Sequence, residues 1–459
     1  MFMPRARLPA VFTFMDEMLF TSIESVSQAL HDRRVSPLEL TESCLDRIAQ
    51  FDSRIHAFIS VDANGALEQA RIAEAEIAGS KWRGPLHGVP FAIKDLVDVA
   101  GMKTTAASRV FRERIASRDA EVVRRLRQAG AVIIGKTNLH EFAFGGSGVI
   151  SAYGPVANPW DTQRTTGGSS SGSAAAVAAG MCFAAIGTDT AGSIRVPASY
   201  CGLVGLKPTW GSVSDDGVIP LSKSLDHVGP ITRTVRDAEI VLEAVSEYKP
   251  EREERREWSF AVSRKFFFED LSPGVAEAVN CAFDVLTRNG MDSRSIDLPV
   301  NVDRSIFNYE VWDYHREYVG IMPELYDPRT LTRIRACAAT TADEYQEKQK
   351  DAAALREQAR DLFRNVDVIL TPTSPIDPPF LRDLVENPDL RAHELIILRN
   401  TRPINVLHLP TITIPCGLSS AKLPVGLQIT AATDADCIDF AKLCEKTLSF
   451  NRPRLPSAD

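Results

Sequence analysis

"TGGSSSGSAAAVAAGMCFAAIGTDTAGSIRVP", Thr166–Pro197, is the stretch on which the fold turns. Serines and threonines crowd among glycines, with no histidine and a single carboxylate, Asp189. Inside it, "SAAAVAAG" predicts a short helix ended by Gly180, and "MCFAAIG" predicts the buried strand that follows. A Gly/Ser-rich loop that merely caps a helix has this composition. So does a set of hydroxyls awaiting a base from elsewhere. The same alternation runs outward on both sides. "VPFAIK" (Val89–Lys94) predicts a strand, "DAEVVRRLRQAG" from Asp119 a helix closed by Gly130, and "AVIIG" a further buried strand. Upstream, Ser36-Pro37-Leu38-Glu39 is a capping box with proline at the first helical position. Downstream, a charged helix from about Thr341 to Arg364 precedes the strands "VDVILTPT", "TITIPCG" and "PVGLQIT". Strands alternating with helices predict an α/β chain around a largely buried sheet.

The 459 residues are 44% hydrophobic and 24% charged, with a formal net charge of -8. This is a globular balance, and the length allows two to three domains. The acidic charge offers no electrostatic argument for nucleic acid or an anionic membrane surface, and no apolar run approaches the roughly 20 residues of a membrane span. Eight cysteines lie far apart with no C-x-x-C pair, which predicts reduced thiols and a cytoplasmic setting. Residues 1–17 read as a flexible leader. "YKPEREERREW" (Tyr248–Trp258) reads as a solvated connector between a catalytic half and a C-terminal half.

Gly130–Thr137 satisfies the spacing of a phosphate loop, but Ala131, Val132, Ile133 and Ile134 belong in a strand, not in a loop of exposed N–H groups. Gly168–Gly172 satisfies G-x-S-x-G, which would make Ser170 the nucleophile of an α/β-hydrolase. Polar "NPWDTQRTT" stands where that elbow needs a hydrophobic strand. His87 and His140 have no partner at metal-ligand spacing and read as structural residues. No metal and no cofactor is expected.

Three further blocks complete the pattern. "GPLHGVPFAIKD" (Gly84–Asp95) supplies a lysine, Lys94; "GGSSSGSAAAVAAG" and "GTDTAGSIRVPASYCGLVGLKPT" follow it at intervals that place Ser169 and Ser193 75 and 24 residues further on. With "SLDHVGPITRTVRDA", "DVILTPT" and "LPTITIPCG…LPVGLQI", these segments resemble the amidase signature family over most of the chain after about residue 20. The resemblance implies an α/β fold: a single large domain over 18–455, with a central mixed β-sheet covered by helices on both faces. Its catalytic core would span about 70–240, and a C-terminal half, about 259–455, would add pocket and sheet elements. It also carries a catalytic lysine onto Lys94, a bridging serine preceded by a cis peptide onto Ser169, and the nucleophile onto Ser193. Ser171 and Ala191 depart from the family, which often has glycine at both positions.

A serine hydroxyl attacks only if a base takes its proton, and a lysine is a base only when neutral. Lys94 ends an apolar strand, so burial would disfavour its charge. It is expected to be uncharged, with one hydrogen bond to Ser169. By the family's pattern Ser169 relays the proton of Ser193, and backbone amides of Thr190, Ala191, Gly192 and Ser193 hold the oxyanion, with Ala143 and Ser169 beside the substrate. Asp189 and Arg195 either touch substrate or form a buried ion pair bracing the turn. Ser170 and Ser173 either tune the relay or cap the helix. Phe142, Phe144, Tyr309, Trp312 and Tyr314 are pocket candidates or plain core. No basic cluster in the sequence demands a carboxylated substrate. The implied function is cleavage of the C–N bond of a small-molecule amide through a Ser193 acyl-enzyme, with no nucleic-acid or membrane partner and a homodimer allowed. The alternatives are the glutamine-hydrolysing A subunit of a tRNA-dependent amidotransferase, a catalytically silent binding protein or nucleotide switch on Gly130–Thr137, and an α/β-hydrolase using Ser170.

Overall fold

A computed structural model of the chain describes residues 14–247, 257–387 and 389–450. The expected leader lies outside the described residues up to 13; Phe14–Met18 is helical and buries Met18. The expected connector lies outside them from 248 to 256.

Short apolar segments supply the strands. They are β1 (Phe58–Val61), β2 (Pro90–Lys94), β3 (Val132–Thr137), β4 (Ala157–Asn158), β5 (Asp161–Thr165), β6 (Ala184–Asp189) and β7 (Val204–Lys207). Then come β8 (His227–Thr232), β9 (Ser259–Val262), β10 (Asp292–Ser295), β11 (Val368–Pro372), β12 (Thr411–Leu418) and β13 (Pro424–Ala431). β4 and β5 form a separate hairpin; the other eleven form one sheet in the order β1-β3-β2-β6-β8-β7-β12-β13-β11-β9-β10. The sheet is mixed. β3, β2 and β6 run parallel, β11, β9 and β10 run parallel, and the remaining neighbours are antiparallel.

Both faces are covered, so the central strands are buried at every position rather than alternately. In β13 the even positions meet the helix Arg195–Tyr200: Gln428 Oε1 accepts from Arg195, and a Cβ at Gly426 would lie 2.3 Å from Ser199 Oγ. Val425, Leu427 and Ile429 alternate with them into the main core, which also holds Val279 and Phe283 of the helix Pro273–Arg288 and Phe440 of Asp434–Leu448.

The alanines and glycine of "SGSAAAVA" have a packing cause. The helix Ser171–Ala178 is buried on all sides. A Cβ at Gly172 would lie 2.2 Å from the Ala57 carbonyl and 2.6 Å from the Asn138 nitrogen, so only glycine lets the helix approach that backbone. Gly180 ends it at φ +74°, and Gly130 ends the segment after Glu121–Gln128 at φ +84°. The capping box is formed: Ser36 Oγ accepts from the Glu39 amide, and the Glu39 carboxylate accepts from the Ser36 amide. The charged helix is Ala342–Leu362, capped by Thr341.

Parallel neighbours place the chemistry. β2 and β6 pair in register at Phe91–Ala184, Ala92–Ala185 and Ile93–Ile186. Their carboxyl ends therefore arrive together, one carrying Lys94 and the other feeding the turn Thr190–Ser193. In open α/β sheets this edge is where ligands bind.

Candidate active site

Lys94 is fully buried, and its Nζ is held by hydroxyls alone at short range. It lies 2.7 Å from Ser169 Oγ, 2.9 Å from Ser170 Oγ and 2.8 Å from Thr188 Oγ1. The single bond to Ser169 expected from the sequence is thus corrected to three contacts, because β6 lays Thr188 against the amine and the helix start adds Ser170. Burial is the largest influence on Lys94 and pulls its pKa down to about 7, while Asp226 and Asp189 act in the opposite direction. A fourth, longer contact runs from Nζ to the Thr188 carbonyl at 3.5 Å. Ser170 gives its own proton to the Thr188 carbonyl at 3.1 Å and so accepts from the amine. Nζ donates to Ser169 Oγ as well. The Gly168–Ser169 peptide is cis.

Ser193 follows the turn after β6 and opens on a cavity that Ala143, Thr190 and Ala191 also line. Its carbonyl accepts from the Ser170 amide at 3.2 Å, which ties the two hydroxyl segments together. Among the described residues no hydrogen bond joins Ser169 Oγ to Ser193 Oγ, so only the first link of a relay is already closed. The amides of Thr190, Ala191 and Ser193 make no hydrogen bond among the described residues and are available to an oxyanion. Gly192 differs from expectation: its amide donates to Asp189 Oδ1 at 2.8 Å. Its part is to let the chain turn, at φ +126°, where a Cβ would lie 2.0 Å from Thr401 Oγ1.

Asp189 and Arg195 brace this turn rather than face substrate. Arg195 Nε and Nη2 donate to the two Asp189 oxygens at 3.0 and 2.9 Å, both side chains being fully buried. Arg195 also reaches Gln428 Oε1 and Asn405 Oδ1, each at 2.6 Å, and Asn405 Nδ2 returns to Asp189 Oδ1 at 2.8 Å. Burial raises the Asp189 pKa, but Arg195, Asn405 and Lys207 together outweigh it and hold the carboxyl far below the usual carboxylate range. Ser173 Oγ lies 2.7 Å from Thr137 Oγ1 and serves packing.

Other sequence candidates separate cleanly. Ala143 and Phe144 line the cavity, whereas Phe142 is packed against Phe111, His315 and Tyr326. Tyr309 stacks on Tyr345, and Trp312 and Tyr314 pack against a satellite core; from this helix the aromatic lining comes from Phe307 instead. Within Gly130–Thr137 the segment Val132–Thr137 is strand, with Lys136 paired to Asp95 at 2.8 Å, so the phosphate-loop spacing is coincidental. His87 contacts Glu76 at 3.0 Å and His140 contacts Glu394 at 3.4 Å. Among the described residues no histidine contacts Ser170 Oγ, whose partners are Lys94 and Thr188.

Sequence reasoning missed Thr188 and Asp226. Thr190 Oγ1 donates to Asp226 Oδ1 at 2.5 Å, and the amides of Leu221 and Ser222 donate to Oδ2. Burial raises the Asp226 pKa to about 6. The "SLD" of "SLDHVGP" held the signal: an aspartate just before a buried strand. Also missed were Arg304, Arg391 and Arg402, which line the cavity together from segments far apart in the chain.

A family model, Amidase, matches residues 39–437. The chain belongs to the amidase family. It is 35% identical to the A subunit of a glutamyl-tRNA(Gln) amidotransferase from Nostoc sp., over 89% of this chain and 93% of that one. A crystal structure of an amidase superposes with a TM-score of 0.85 at 34% identity, covering 93% of this chain and 99% of the other. A peptide amidase from Stenotrophomonas maltophilia superposes with a TM-score of 0.81 at 29% identity, covering 95% and 98%. Among the described residues no helix is long and apolar enough to cross a membrane.

Proposed function

We propose that this chain hydrolyses the C–N bond of a small carboxamide through an acyl-enzyme on Ser193. The observation that carries this is the buried, hydroxyl-bound amine: Lys94 Nζ at 2.7 Å from Ser169 Oγ, with a pKa near neutrality, next to a turn whose nucleophile opens on the cavity. Neutral Lys94 takes the proton of Ser169, Ser169 takes that of Ser193, and Ser193 Oγ attacks the amide carbon. The oxyanion is held by amides of Thr190, Ala191 and Ser193. Ser169 protonates the departing nitrogen, the C–N bond breaks, and water enters by the same relay to free the acid. No metal or cofactor has a part in this scheme. The free thiols of all eight cysteines support a reducing, cytoplasmic setting.

The test is release of ammonia or amine from a panel of aliphatic, aromatic and urea-type amides. Wild type is expected to turn over at least one class, and Ser193→Ala and Lys94→Ala none at comparable rate. Turnover that survives Lys94→Ala but is lost on replacing a histidine would refute the relay.

A second assignment, hydrolysis of glutamine for a tRNA-dependent amidotransferase, is favoured by the 35% identity to the A subunit of a glutamyl-tRNA(Gln) amidotransferase. Ammonia from L-glutamine appearing only when partner proteins are added would support it.

A further inference from the structure

The cavity beyond Ser193 is apolar in most of its lining, including Phe307, Leu225 and Leu398, yet three guanidinium groups and one carboxylate, Asp303, enter it. Arg304 precedes the helix Ser305–Ile321, Arg391 lies in the first turn of Leu390–Ile397, and Arg402 begins Arg402–Leu407. Like charges sharing one apolar space are costly unless something offsets them. Two have partial offsets. Arg391 lies 3.5 Å from Glu394, a carboxylate that Arg333 already engages at 2.8 Å. Arg402 Nη2 donates to the Val302 carbonyl at 2.6 Å. Arg304 has none: its guanidinium lies by the Phe307 ring, 5.2 Å from the centroid, and makes no hydrogen bond or ion pair among the described residues. Burial and mutual repulsion act in the same sense on all three. Each pKa is lowered, burial first; next come Arg402 acting on Arg304, Arg304 acting on Arg391, which falls to about 10, and Arg391 acting on Arg402. In a chain of net charge -8 this local excess of positive charge stands out.

We propose that the substrate is an amide bearing one carboxylate, seated on Arg304 with Arg402 and Arg391 around it, while its carbonyl carbon faces Ser193. This rests on the amidase assignment above and names the substrate class of that site. Among the described residues no partner takes the N–H groups of the Arg304 guanidinium beside the Phe307 ring, and their fork fits a carboxylate bidentately. One unpartnered guanidinium calls for one monoanion. The apolar residues that share this cavity with Arg304 and Ser193 accommodate a plain carbon chain, and the three guanidiniums outnumber the one carboxylate, Asp303, so an added ammonium would be disfavoured.

The experiment compares carbamoyl acids of increasing length (malonamate, succinamate, glutaramate) with their uncharged methyl esters and with L-glutamine, which is glutaramate plus an α-ammonium. The best acid is expected to exceed its ester in kcat/KM by about 10–150-fold, the worth of hydrogen bonds to a charged group. That ratio falls at least tenfold in Arg304→Gln, and glutaramate exceeds L-glutamine. Esters equal to acids, an unchanged ratio in Arg304→Gln, or preference for L-glutamine would each overturn the proposal. Fluorophosphonate labelling of Ser193 tests the amidase assignment separately. If no compound releases ammonia, calorimetric binding of propionate to wild type decides: competition by 0.5 M chloride and loss in Arg304→Gln uphold the carboxylate site, and absence of binding removes it.

Discussion

At the scale of single residues, the proposed relay turns on a proton that Lys94 must lack. Its pKa of about 7 lies below the ordinary lysine value, so the group is protonated and inert as a base below that pH and competent above it. We predict that kcat/KM rises with pH through a limb near 7 and then levels, as a pH–rate profile will show. A profile flat from pH 5 to 9 would contradict it. Asp226 favours the ammonium form of Lys94. Asp226→Asn should therefore move that limb to lower pH, while the loss of the short contact to Thr190 lowers the plateau. A limb displaced upward would reverse the assigned sign. Lys94→Ala removes the base and should cost about 10²–10⁴-fold in kcat/KM, the usual worth of general base catalysis.

At the scale of elements, the turn after β6 is held from within by Asp189 and from outside by Arg195, Asn405 and Gln428. Arg195→Met leaves Asp189 buried without its counter-charge. We expect a loss of about 3–5 kcal/mol in urea unfolding, the range for breaking one side of a buried pair. A loss under 1 kcal/mol would mean that Asn405 and the backbone amides suffice. Gly192→Ala forces a side chain into a left-handed conformation and against Thr401, so both stability and turnover should fall. Adding Thr401→Ala should recover part of the stability; no recovery would assign the whole cost to the backbone. Much at this scale was legible. Gly130 and Gly180 marked helix ends, the capping box at Ser36 formed, and "SAAAVAAG" gave its helix because small side chains there answer a close backbone approach. Gly192 was misassigned because the motif shows a glycine beside a nucleophile, and only the fold shows Asp189 turning back to take its amide.

At the scale of the whole molecule, the order of strands brings together what the chain keeps apart. Alternating helix and strand patterns sufficed for the α/β class, since buried parallel strands are apolar throughout. Pairing β7 with β12, and β12 with β13, was not readable, and that order is what sets Gln428 behind Arg195. The arginine trio was hidden for the same reason: Arg304, Arg391 and Arg402 come from three helix beginnings and form no run in sequence. Thr188 sits one strand from the lysine it contacts and Asp226 just before the strand beyond, a neighbourhood that only the sheet creates. The most direct measurement of the central claim is mass-spectrometric mapping of the adduct formed with a fluorophosphonate. A single modification on Ser193 in wild type, absent in Lys94→Ala, is predicted; modification of Ser170 instead, or undiminished labelling without Lys94, would contradict it.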